Sequence, residues 1–272
     1  MASSSDNSSP AAGRGFIPAQ NDAERFLQKR TEELCRTALD KGIPRYTGFL
    51  SDREQLLAAA AAHRSGTECI RFWGGYEGAE RAVFCVEPPD SWQEEPIATL
   101  RLRAETGQGG KYPEHRDYLG AILGLGLDRS CIGDLLQNPD DPAEVYAFVL
   151  DDKAEFLCME LTSAGRSPVR AERCDKIPLA VLKGPQRRCE QASVSSLRAD
   201  AVLAAMLHTS RTKAAEYIAA GRVEVNHLPV RGAHELLYEK DLLTIRGAGR
   251  FRLTEIGGKT RKDRVFITFF RY

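Results

Sequence analysis

A run of polar side chains near the C-terminal end, Ser210-Arg211-Thr212-Lys213, has the types and spacing to hold an anion. Arg211 and Lys213 fall in the first turn of a predicted helix. There the backbone N–H groups lack partners and the helix dipole favours negative charge. Ser210 stands where such a helix is capped. Arg198 opens an earlier predicted helix, and Arg222 follows Gly221, a natural left-handed stop. Phosphate groups suit this set, and such contacts give position and affinity but little sequence discrimination. Arg246, Arg250 and Arg252 lie in a strand–turn–strand region expected to fold onto the same side. Lys259, Arg261, Lys262 and Arg264 are expected to form a loop with Gly257 and Gly258 that can follow a nucleic-acid backbone. Each arginine alone fits a solvated face, with Glu216 and Glu224 as neutralising partners. Ser210, Arg211, Lys213, Arg222 and Asn226 together fit a binding face better.

The elements that must position these groups are legible from periodicity. Leu197–Leu207 and Arg211–Ala220 read as two helices. Val223-Glu224-Val225 and Leu228-Pro229-Val230 read as arms of a hairpin around Asn226-His227. Strands follow at Leu242–Arg246, Phe251–Glu255 and Val265–Phe270, and another is expected near Gln191–Ser195. Upstream, order is expected to begin near Asn21, a helical stripe runs from Ala23 to Leu39 and is stopped by Gly42 and Pro44, and Ser51-Asp52-Arg53-Glu54 forms a capping box for a helix to about Arg64. Strands are expected at Cys69–Trp73, Ala82–Val86, Ile97–Arg103, Tyr146–Leu150 and Val169–Arg173. Helices are expected from His115 into the glycines, around Cys131–Leu136, and over Asp151–Thr162. For the last of these, Asp151 or Asp152 would be the cap and Gly165 the stop. The mixed order predicts an α+β fold. Residues 1–20 read as a disordered tail, 21–110 as an N-terminal α+β subdomain, 111–190 as a middle α+β subdomain with a connector, and 191–272 as a terminal domain. The tail has the Ser-rich composition of a plastid transit-peptide remnant, against which Asp6 and its short length count.

The formal net charge of zero is a cancellation. Residues 1–165 carry ten more acidic than basic side chains, and residues 166–272 carry ten more basic than acidic ones. The second part is therefore suited to a polyanion. No apolar run reaches the roughly 20 residues that span a bilayer. The seven cysteines are odd in number and lack a Cys-x-x-Cys pair, which argues for reduced, mostly buried thiols over a disulfide framework or zinc ribbon. None of the five histidines has metal-ligand spacing, so no metal and no cofactor is expected. Gly107-Gln108-Gly109-Gly110-Lys111 runs into Tyr112-Pro113, which reads as a turn and not a nucleotide loop. His115-Arg116-Asp117 matches the start of a kinase catalytic loop without its companions, so His115 or Asp117 is read as a helix cap. No catalytic residue is assigned.

Ser196 to about Phe251 resembles the S4-type RNA-binding domain, an αL-like helix–helix–hairpin module. The matching residues are Leu197-Arg198-Ala199-Asp200, Leu203, Ser210-Arg211, Ala214, Ile218, Gly221, Val223-Glu224-Val225-Asn226, Asp241 and Leu242–Arg246. His115–Ala121, Gly124-Leu125-Gly126, Ile132-Gly133-Asp134 and Gly247–Phe251 are similar to the YlmH-like S4-domain proteins of bacteria, cyanobacteria and plastids. The similarity spans about Asp22 to Tyr272. His227 departs from it, at a turn position where the family often has glycine. The resemblance implies two small α+β subdomains ahead of an RNA-binding domain, and a non-enzymatic role on rRNA or tRNA, in some members on large ribosomal subunits. The implied contact residues are Arg198, Ser210, Arg211 and Arg222. Cytoplasm in a bacterium, or plastid stroma in a eukaryote, is the expected compartment, without secretion or membrane attachment. The rival readings are an RNA-modifying enzyme with an unrecognised active site, and an assembly or adaptor protein localised by its RNA domain.

Overall fold

The computed structural model describes residues 19–92, 95–106, 111–182, 188–259 and 263–272. The expected tail, the glycine run 107–110, and Lys183, Arg187, Arg261 and Lys262 lie wholly or almost wholly outside them. The chain divides into two compact units, Phe16–Gly184 and Pro185–Tyr272.

In the longer unit, α1 (Asp22–Lys41) is capped by Asn21, whose side chain accepts from the Glu24 N–H, and stops at Gly42 in the left-handed region. After β1 (Arg45–Leu50), α2 (Asp52–Arg64) opens with the Ser51–Glu54 capping box. Its alanines Ala58 and Ala62 are fully buried with Leu34, Cys35 and Ala38 of α1, so small side chains let the two helices approach closely. The Arg53–Glu24 ion pair, at 2.6 Å and almost buried, links them again. Below lies a three-stranded antiparallel sheet, β1 with β3 (Ala82–Val86) in the centre and β2 (Ile70–Trp73) outside.

The second sheet of this unit has the order β5-β6-β4-β8-β7 and is antiparallel throughout. Its strands are β4 (Ile97–Ala104), β5 (Ile132–Gln137), β6 (Glu144–Leu150), β7 (Ser163–Ala164) and β8 (Ser167–Arg173). Alternation puts Leu100, Leu102, Val145, Ala147 and Val149 on one face, buried against Tyr118 and Ile122 of α3 (His115–Gly124) and Ala154 and Leu157 of α4 (Asp151–Glu160). Each fully buried Leu or Ile contributes about 1.5–3 kcal/mol over an exposed one. A one-turn helix, α5 (Leu179–Leu182), follows. Because β4 pairs with both β6 and β8, residues on either side of position 110 share one sheet.

Five expectations need correction, four of them for this unit. The segment expected as a helix around Cys131–Leu136 is a 3₁₀ turn (Arg129–Cys131) followed by β5. The pairing with β6 decides this, with an irregularity between Ile132 and Leu135 that accommodates Gly133. A side chain at Gly133 would enter the Phe49 ring. The α4 helix is capped by Leu150 without a side-chain bond, and Asp151 instead pairs with Arg173 at 2.8 Å. Gly165 turns the β7–β8 hairpin. The cap of α3 is Glu114, with Asp117 accepting from the Glu114 N–H. Of the seven free cysteines, only Cys35 and Cys85 are buried, four are half-buried and Cys189 is exposed.

The shorter unit is a six-stranded antiparallel sheet with two helices on one face, in the order β11-β10-β12-β13-β14-β9. The strands are β9 (Cys189–Val194), β10 (Val223–Val225), β11 (Leu228–Pro229), β12 (Leu242–Ile245), β13 (Gly249–Lys259) and β14 (Val265–Arg271). The helices are α6 (Ala199–Met206) and α7 (Arg211–Ala219). Val202, Leu203, Ala214 and Ile218 pack on Leu243, Ile245, Phe251, Leu253, Ile267 and Phe269. The Gly257-Gly258-Lys259 segment, expected as a loop, belongs to β13, where a register shift between Ile256 and Lys259 absorbs the glycines. Asn226 and His227 both take positive φ, 50° and 63°, which makes the tight β10–β11 turn without glycine.

Candidate nucleic-acid interface

In the shorter unit α6 starts one residue after Arg198, because Arg198 is extended and bridges to Leu236. Arg198 is therefore the N-cap and not a helical residue. Its guanidinium donates to Asp200 at 3.1 Å (Nε to Oδ1) and 3.3 Å (Nη2 to Oδ2). Arg211, the first residue of α7, donates to the same carboxylate at 2.7 Å and to Ser195 Oγ at 3.5 Å. Asp200 is almost buried, while the two arginine side chains keep 42% and 51% of their exposure. One inward carboxylate thus fixes two outward cations side by side. Ser210 caps α7 by accepting from the Lys213 N–H at 3.2 Å, and Thr212 and Lys213 are exposed in the first turn. Among the described residues, Asp200 has the neutralising role that the sequence suggested for Glu216 and Glu224.

Arg222 sits beyond the left-handed Gly221. Its guanidinium lies 4.4 Å from the Tyr217 ring centroid and donates to the Arg246 carbonyl at 2.7 Å. The Arg246 N–H returns a bond to the Arg222 carbonyl at 2.8 Å, so the two arginines are neighbours, and Arg246 is exposed. Gly247 suits this turn because its φ of 84° lies in the region that favours glycine, and a Cβ there would also stand 2.8 Å from the Arg222 guanidinium.

The remaining sequence candidates fall elsewhere. Asn226 is a structural residue: its amide donates to Asp241 Oδ1 at 2.6 Å and accepts from the Leu242 N–H at 3.0 Å. Arg250 and Arg252 alternate with Phe251 and Leu253, which pack toward the helices, so they lie on the opposite face and not with Arg211. Lys259 pairs with Asp263 at 2.7 Å. Lys262 is outside the described residues. Sequence reading missed Tyr217 as the platform under Arg222, and Asp200 as the anchor of the pair. No periodicity joins Asp200 to Arg211, because their contact depends on how α6 and α7 pack.

Burial pushes the Asp200 carboxyl up, but the hydrogen bonds and charges of Arg211 and Arg198 outweigh it, and its pKa settles below the ordinary aspartate value. A carboxylate with a depressed folded pKa contributes its full stability above the unfolded value of about 3.9 and loses it as pH falls through the folded value. The expected result is an acid unfolding transition, followed by circular dichroism, that moves to higher pH in Asp200→Asn. The substitution should also lower stability at neutral pH by about 1–2 kcal/mol, because both guanidiniums can be resolvated. An unchanged acid midpoint would remove Asp200 as the organiser of this face.

The protein is 37% identical over 251 residues to the Bacillus subtilis "Ribosome-associated protein quality control protein P2", which covers 91% of this chain and 95% of that one. The chain belongs to the YlmH-like family. A family model described as "Putative RNA-binding domain in YlmH" matches residues 111–177. A solved structure, "Cell division protein ylmH from Streptococcus pneumoniae", is 20% identical with a TM-score of 0.48, covering 59% of this chain and 96% of that one. The YlmH-like match at 111–177 draws attention to the sheet of the longer unit. There, Arg103 of β4 pairs in register with Arg170 of β8, and Arg101 with Glu172, on the face away from α3 and α4. Arg101 bonds Glu172, and Arg103 bonds Glu144 at 2.7 Å, while Arg170 is exposed. This mixed-charge ladder escapes sequence reading because its members are far apart in the chain. Among the described residues, no helix is long and apolar enough to cross a membrane.

Proposed function

We propose that the protein is a ribosome-associated RNA-binding protein whose C-terminal unit is an S4-type domain that holds structured rRNA or tRNA through phosphates. The observation that carries this reading is the pinning of Arg198 and Arg211 on Asp200, beside the Ser210-capped start of α7 and Lys213. Two guanidiniums fixed before the ligand arrives lose little freedom on binding, and their forks suit phosphate oxygens. Arg222 on Tyr217 and the adjacent Arg246 extend the same charge. The name of the Bacillus subtilis relative supports ribosome association, and the family match over 111–177 supports a second RNA contact upstream; the large subunit as partner is the finer part of the proposal. The protein acts by binding and not by catalysis.

The test is a titration of the full chain against labelled rRNA helices and tRNA. Neutralising four phosphates gives a log–log salt slope of about −3 to −4, so affinity should fall about a hundredfold between roughly 50 and 200 mM salt. Absence of binding at the lower salt sinks the proposal. A base modification missing from the RNA of a deletion strain would transfer the assignment to an RNA-modifying enzyme.

A further inference from the structure

The face of the C-terminal sheet turned away from α6 and α7 carries aromatic and arginine side chains on two adjacent strands. The Arg250 guanidinium lies 4.9 Å from the centroid of the Tyr272 ring, and Arg252 donates to Tyr272 Oη at 3.1 and 3.3 Å. Phe270, opposite Arg252 in register, sits with its ring centroid 5.1 Å from that of Tyr272. Farther along β14, Phe266 is 49% exposed. Its neighbour across the ladder is the glycine segment of β13, where a Cβ on Gly257 would lie 3.3 Å from Phe266 Cβ. Gly257 itself sets no side chain against that flank of Phe266.

A single exposed phenylalanine is ordinary on a protein surface. This set is different, because two cations are already ordered against Tyr272, one of its aromatic residues, beside Phe270. The unit itself, residues 185–272, carries seven more basic than acidic side chains. Such a surface complements a polyanion that also offers flat apolar rings. An unpaired RNA segment is that ligand: its bases can stack on aromatic side chains while arginines meet the phosphates. A duplex keeps its bases stacked inside and cannot use the rings.

We propose that this outer face is a second RNA surface, one that takes an unpaired RNA segment with bases on Phe266 and Phe270 and phosphates on Arg250 and Arg252. It is separate from the face built on Asp200, and it selects single strands where that face holds folded RNA.

The test uses the full chain, a fluorescein-labelled twelve-nucleotide uridine oligomer and a labelled RNA hairpin, read by anisotropy. Phe266→Ala should weaken oligomer binding about tenfold and leave the hairpin within about twofold, since one stacked base is lost. Lys213→Glu should do the reverse. Phe266→Leu, which keeps apolar bulk without the ring, should resemble Phe266→Ala, and it carries the test if the alanine variant unfolds in a thermal melt. Oligomer binding that is equal in the wild type and in Phe266→Leu overturns the proposal, as does a wild-type chain that binds the hairpin but not the oligomer. The second result would fit a face for a protein partner and would leave the function proposed above standing. A chain that binds neither RNA overturns both.

Discussion

Arg211→Glu combined with Lys213→Glu is expected to weaken binding to structured RNA on the order of a hundredfold at near-physiological salt and to flatten the salt slope by about 2. Both residues lie in the first turn of α7, where the capped helix end already favours an anion. Reversal would remove the two proposed phosphate contacts and place two carboxylates in their stead. The change at position 211 also faces Asp200, which already accepts from Arg198. Part of the loss would then come from local rearrangement. Lys213→Glu alone avoids this, because Lys213 is exposed, and should still flatten the slope by about 1. Arg211→Lys keeps the charge but loses the fork that reaches both Asp200 and Ser195, so it should fall between wild type and the reversal. An unchanged salt slope in the double variant would move the phosphate contacts off this face. The ladder of Arg101, Arg103 and Arg170 would then be the next place to look.

The largest expected loss of stability comes from Asp241→Ala, a position with 4% exposure. Its carboxylate accepts from the Asn226 amide at 2.6 Å and from the Tyr238 N–H at 2.8 Å. Asn226 in turn accepts from the Leu242 N–H at 3.0 Å, which holds the positive-φ turn of the β10–β11 hairpin against β12. Removing the carboxylate deletes two charge-assisted bonds and leaves two donors poorly satisfied, a cost of about 3–4 kcal/mol. For a unit of this size that corresponds to a fall in Tm of about 15 °C. The measurement is a thermal melt of the full chain by circular dichroism, with Asp241→Asn, which keeps one acceptor, expected in between. A fall of only a degree or two would mean that the hairpin does not depend on this carboxylate.

The parts of the fold legible in the sequence are those written locally. The caps at Ser51 and Ser210 and the glycine stops at Gly42 and Gly221 are short-range signals, and the helices they bound are where periodicity puts them. β1 was illegible because Thr47-Gly48 interrupts its apolar pattern. Its strand conformation depends on pairing with β3 far along the chain, and on Gly48, where a Cβ would collide with Ser130. β5 was illegible for a related reason. Asp134 looks wrong for a strand until its carboxylate is seen accepting from Tyr76 and from the Glu80 N–H. At the candidate site the types of residue were legible, and their sides were not. Alternation separates Arg250 and Arg252 from Phe251, but only the packing of α6 and α7 says which side is which. Asn226 looked like a ligand for RNA because its type and turn position suit one, yet its amide is taken up by Asp241 and Leu242.

The strand order of the C-terminal unit has a consequence for how the chain is made. β14 lies between β13 and β9, and β9 is the first strand of the unit while β14 is the last. The pairing Val265↔Val194 closes a very long loop, the kind of non-local contact that slows folding. During synthesis β9, α6 and α7 emerge with no completed sheet beneath them, and Ile267 and Phe269 are missing from the core that seats the helices. The cationic face therefore matures only after β14 has been synthesised. A nascent copy cannot present the finished face of Arg198 and Arg211 until synthesis has reached this last strand.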